Sequence, residues 1–139
     1  NPMFKPELMS APWYMYIFMF FKILVGMGVE ELIFRYLPNK YTKEHIRPYV
    51  SKISLILFIL WHLAQGHIGK VRGTERSKVF LSTIFILLAS ILGIGINAIN
   101  EYMYEKTNSH ETAAFAGFVY HSVVVLIWIF FFGGYKIMH

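Results

Sequence analysis

The sequence predicts an all-α fold, a polytopic membrane bundle with about four transmembrane helices. Three observations carry that prediction. Hydrophobic residues make up 56% of the 139 residues and charged residues only 15%, against about 25% charged in ordinary soluble domains. The apolar residues gather into four runs, each long enough or nearly long enough to cross a hydrocarbon core of roughly 30 Å. The segments between the runs are short and polar, punctuated by Pro, Gly or Asn. A chain of this length suits one membrane-embedded domain, residues 1–139.

The first run, APWYMYIFMFFKILVGMGVEELIFRYL, covers residues 11–37. Pro12 starts it, and Pro38 is expected to stop it because proline cannot continue a helix. At about 1.5 Å per residue the run exceeds a simple crossing, so its charged last third is expected to tilt or reach the interface. The second run, SKISLILFILWHLAQGHIG at 51–69, has about the minimum length for a span. The third covers 77–104 and the fourth 112–138. Between them PNKYTKEHIRPYV, KVRGTER and EKTNSHE read as loops. If all four runs cross, six Lys/Arg lie on each side, so charge does not choose an orientation.

Some function classes drop out early. There is no Cys, which removes disulfides, thiolate metal sites and thiol nucleophiles. A net charge of +5 could suit nucleic acid, but the basic residues fall mainly in two inter-run loops rather than on one face of a soluble module. No nucleic-acid partner is expected; membrane lipid is. The opening NPMFKPELMS has no basic region leading into a cleavable signal. It also lacks an initiator Met, which leaves room for residues before Asn1.

Ionisable groups inside membrane helices usually face the bundle interior and mark a function. Here they are Lys22, Glu30, Glu31, Arg35, His62 and His121, with His67 closing the second run. In GVEELIFRYLP, residues 28–38, Glu31 and Arg35 stand four apart with the acid first, the favourable order for an ion pair. Glu30 is turned about 100° away, and its i+4 neighbour is Phe34. A buried carboxylate without a cation suits a general acid or base. It equally suits a hydrogen bond to a histidine or Lys22 that fixes helix packing. A lone His in an apolar helix is more often a packing residue, yet three separate runs each bring one titratable group. Ala113, Gly117 and His121 recur every four residues, a stripe that would let another helix approach the imidazole. Gly93 and Gly95 would do the same on the third run, or mark a kink. Two His and a carboxylate could also form a zinc set. However, His62 and His67 lie roughly 140° apart around a helix, and no metalloprotease helix signature is present. Neither a metal nor another cofactor is expected.

In order along the chain, EELIFR, the Phe58-x-x-x-His62 segment and YEKTNSHETAAFAGFVYHSVVV resemble the three motifs of a known family. It is the CAAX-protease and bacteriocin-processing (Abi) family of intramembrane glutamic endopeptidases. The likeness covers about residues 28–125. It implies that Glu30 and His62 activate a water molecule and that Glu31, Arg35 and Phe58 support the site. His121 would help stabilise the oxyanion formed at a scissile amide. The implied substrates are prenylated CAAX tails or peptide precursors.

Two departures stand against this. The family places Asn four residues after the last His, where this chain has Val125, and losing one oxyanion donor costs on the order of 10²–10³ in rate. The family core also has more helices than four, which implies a fragment or a reduced bundle completed by other membrane subunits. The rival expectation is therefore a family member that has lost catalysis and serves as a membrane-complex subunit or immunity-type protein. A third is a proton or ion pathway lined by Glu30, His62 and His121.

Overall fold

The computed structural model describes residues 12–64 and 75–132, and these are helical with short connections. The elements are α1 (Trp13–Glu31), a π-helical turn (Leu32–Tyr36), α2 (Leu37–Tyr41), α3 (Arg47–Ala64), α4 (Glu75–Thr107) and α5 (His110–Phe132). The first three form one continuous rod, so four rods correspond to the four apolar runs. α5 packs between α4 and α1, and α3 packs on α4. His67 and most of the KVRGTER loop lie outside the described residues.

The first rod corrects the expected stop at Pro38. Helix continues to Tyr41 because the π turn resets the hydrogen bonding, with Leu37 N–H reaching back to Leu32 O. Pro38 then stands in the first turn of α2, the helical position that proline tolerates best. The same turn serves a second purpose. Met19, Ile23, Met27, Glu31, Arg35 and Asn39 are all buried, at intervals of four. In a regular α-helix each such step drifts about 40° around the axis. A π turn winds more slowly, which offsets part of that drift and holds the stripe toward the bundle.

α4 and α5 meet at a tight turn. Asn108 adopts the left-handed conformation (φ 52°), which Asn tolerates at a helix C-terminus, and its N–H bonds Tyr104 O at 2.7 Å. Ser109 caps α5 by accepting from Thr112 N–H at 3.2 Å, the usual Ncap-to-N3 bond. The EKTNSHE loop is thus mostly helix. Gly93 and Gly117 are points of close approach. A Cβ on Gly93 would come within 2.7 Å of Leu55 Cδ1, and one on Gly117 within 3.3 Å of Glu31 Oε2.

Large apolar side chains such as Phe18, Phe21, Val25, Ile91 and Ile94 face outward, while Glu31, Arg35, Asn39, Asn100 and His121 are buried. That arrangement suits a bundle with lipid outside and its polar groups paired inside. Segments Ile86–Thr107 and His110–Trp128 are long and apolar enough to cross a membrane.

Candidate active site

Three rods deliver the site. Glu30 and Glu31 end α1, Arg35 lies in the π turn, Phe58 and His62 are on α3, and His121 is midway along α5. Glu31, Arg35 and His121 are 2%, 1% and 0% exposed. Charges buried so deeply persist only when paired.

Glu31 Oε1 accepts from His121 Nδ1 at 2.8 Å and from Arg35 Nη1 at 3.4 Å. The expected Glu31–Arg35 pair is present, but the nearer partner of Glu31 is a histidine on another helix. Arg35 donates through Nε to Asn97 Oδ1 at 3.0 Å and through Nη2 to Gly93 O at 3.5 Å. Its guanidinium lies 4.2 Å over the Phe58 ring, a cation–π contact that a weakly hydrated guanidinium makes well. Phe58 is fully buried and edges His121 at 5.6 Å and Phe34 at 5.7 Å.

Glu30 is not as isolated as its helical position suggests. Its Oε1 accepts from Trp61 Nε1 at 3.3 Å. Among the described residues its Oε2 is buried without a hydrogen-bond partner and lies 3.8 Å from His121 Nε2, which likewise has no hydrogen-bond partner among them. His62 Nδ1 sits 2.8 Å from Phe58 O. A carbonyl only accepts, so Nδ1 donates and Nε2 is the acceptor of the neutral ring. The His62 ring lies tilted against Phe58, 4.4 Å between centroids, and within electrostatic reach of Glu30, His121 and Arg35.

Glu30, Glu31, Arg35, Phe58, His62 and His121 thus form one cluster. Sequence reasoning missed Trp61, although the indole immediately precedes His62, because only the packing of α3 on the first rod turns it toward Glu30. A further member of the cluster is Asn97 on α4. That side chain joins the cluster through Arg35, and its Nδ2 donates to Ser51 O and Oγ, both at 3.4 Å. Asn100 instead accepts from Asn39 Nδ2 at 3.2 Å. Val125 packs against the apolar pair Ile23 and Met27. Among the described residues no set of three or more His, Cys, Asp or Glu is arranged to hold a metal ion.

Several known proteins resemble this chain. It is 38% identical over 63 residues to the high osmolarity signaling protein SHO1 of Paracoccidioides brasiliensis (strain Pb03), covering 45% of this chain and 20% of that protein. It is likewise 38% identical over 66 residues to SHO1 of Blastomyces gilchristii (strain SLH14081), covering 48% of this chain and 20% of that protein. The match therefore spans about a fifth of the length of these curated relatives. No solved structure matches. The model of the type II CAAX prenyl endopeptidase Rce1-like family matches residues 12–124, a range that takes in every residue of the cluster. The chain is an integral membrane protein of the CAAX-protease type, and it belongs to the Rce1-like family.

Proposed function

We propose that the chain hydrolyses a peptide bond of a membrane-associated, prenylated substrate by direct attack of a water molecule. The observation that carries this reading is the pair Glu30 Oε2 and His121 Nε2, 3.8 Å apart and both buried without a hydrogen-bond partner among the described residues. One oxygen atom at ordinary hydrogen-bonding distance from each would bridge them. Glu30, assisted by the acceptor Nε2 of His62, takes a proton from water as the oxygen attacks the scissile carbonyl. The C–N bond then breaks, and Glu30 returns the proton to the leaving amine. In its imidazolium form His121 donates to Glu31 through Nδ1 and keeps Nε2–H for the oxyanion. Glu31, fixed by Arg35, would hold the ring.

The test is Glu30→Gln, assayed in lipid with a prenylated reporter peptide. Processing should fall by at least about 10², the lower end expected for loss of a general base, while the melting temperature holds. Equal turnover by Glu30→Gln would sink the mechanism.

Val125 supports a second reading. Where the family carries a second oxyanion donor, this chain presents an apolar side chain packed on Ile23 and Met27. A retired member, keeping the polar cluster for helix packing and acting as a subunit of a membrane complex, would tolerate that change. The partial likeness to osmolarity signaling proteins is compatible with such a role. Absence of hydrolysis by the wild-type chain across prenylated and unprenylated peptides would favour it.

A further inference from the structure

Trp61 occupies an unspecified position of the Phe58-x-x-x-His62 segment, yet it joins the rim of the bundle to the cluster. The residue is 45% exposed, and its ring lies 6.4 Å from that of Phe34, centroid to centroid. Phe34 in turn edges the buried Phe58, so an aromatic file runs from the outer face of α3 to the centre. At the inner end of the indole, Nε1–H donates to Glu30 Oε1 at 3.3 Å.

A glutamate side chain has several staggered conformations open to it, with a broad terminal torsion. A donor on one oxygen selects among them and thereby places the other. Here Oε1 is held by Trp61, and Oε2 stands 3.8 Å from His121 Nε2. The indole suits that task because it donates and cannot accept. It therefore cannot compete for a proton that Glu30 must take up and give back. A tyrosine or a neutral histidine in its place could accept, and would interfere.

We propose that Trp61 is a positioning residue whose indole N–H orients Glu30 so that Oε2 meets the attacking water. The proposal rests on the hydrolytic reading above. It separates the N–H from the ring, because phenylalanine would keep the contact with Phe34 and lose the donor.

The experiment compares Trp61→Phe and Trp61→Ala with the full chain in lipid nanodiscs, using a prenylated reporter peptide. Trp61→Phe should lower kcat about five- to tenfold, the effect of one lost hydrogen bond, with KM within about twofold. A full kcat in Trp61→Phe would assign the residue to packing and overturn the proposal. A raised KM with unchanged kcat would overturn it in favour of substrate entry.

A second measurement needs no turnover. The Trp61 indole N–H resonance, assigned by its loss in Trp61→Phe, should move in Glu30→Gln by more than those of Trp13 and Trp128. An unmoved resonance in a chain that hydrolyses its reporter overturns this proposal alone. A moved resonance in a wild-type chain that hydrolyses nothing takes down the hydrolytic reading, and the positioning role with it.

Discussion

Two levels of the same helix seam differ in chemistry within one turn. Below, Ile23 and Met27 of α1 meet Phe118, Val125 and Leu126 of α5 in an apolar contact. Above, Glu31 meets His121 and Gly117, and Arg35 follows one further turn along. The spacing is four residues throughout, and the same two rods make both contacts. From Ile23 to Glu31 the backbone is one regular α-helix, and the π turn begins only at Leu32, so the change between Met27 and Glu31 lies in the side chains. Association of helices in lipid gains little from burying more apolar surface, so the seam depends on close packing and on polar groups that have somewhere to bond. The lower level supplies packing. The upper level supplies pairing, with Gly117 leaving room for the Glu31 carboxylate.

The largest break in this comparison comes from Arg35→Met. It keeps much of the volume but strips Glu31 of its guanidinium and leaves Asn97 Oδ1 without its donor. Breaking one side of a buried pair costs about 3–5 kcal/mol, whereas the volume-conserving Met27→Leu one level down should cost less than about 1.5 kcal/mol. Thermal unfolding of both variants in the same detergent measures the difference. Equal losses would mean that the polar level is only packing.

Val125→Asn carries the polar level one turn downward. If the reaction is limited by the missing oxyanion donor, kcat should rise about tenfold or more, a fraction of the 10²–10³ that removing such a donor costs. Stability should fall by about 1–3 kcal/mol, because an amide would enter an apolar contact. A stability loss with no gain in rate would leave the donor question to other groups, such as the buried and unpartnered Ser122 hydroxyl.

The smallest effect is expected outside the seam. Lys40 Nζ donates to Glu111 Oε1 at 2.8 Å and to Tyr36 Oη at 2.7 Å, tying α2 to the start of α5. The bond to Glu111, then that to Tyr36, holds the ammonium above its ordinary range. A group raised in the folded state contributes throughout neutral pH and loses that contribution only as pH climbs beyond the usual lysine range. Both side chains are well exposed, at 37% and 60%, and exposed pairs contribute little. Lys40→Met should melt with the wild type at neutral pH, and any difference should not grow between pH 6 and 9. Calorimetry over that range checks it.

The site was partly legible before the fold. Glu31 and Arg35 belong to one helix, so their i,i+4 contact is a local property of EELIFR, and the structure contains it. The small stripe Ala113–Gly117–His121 was legible for the same reason. What local spacing could not give was the ordering of partners. Glu31 has its shortest contact with His121 and Arg35 with Asn97. Glu30, read as unpartnered from its own helix, bonds Trp61. Pro38 misled for a related reason. Its propensity ends a helix unless the preceding turn changes register, and the π turn does so.

By itself the sequence determined the four apolar runs, the exclusion of thiol chemistry, and one ion pair. Each follows from composition or from residues within a single helical turn. Only the tertiary structure decided that His121 closes on Glu31, that Asn97 and Gly93 anchor Arg35, and that Glu30 is held from outside by an indole. These contacts join residues 31 to 90 positions apart. Their geometry depends on how the rods rotate and cross, and no local pattern of residues specifies that.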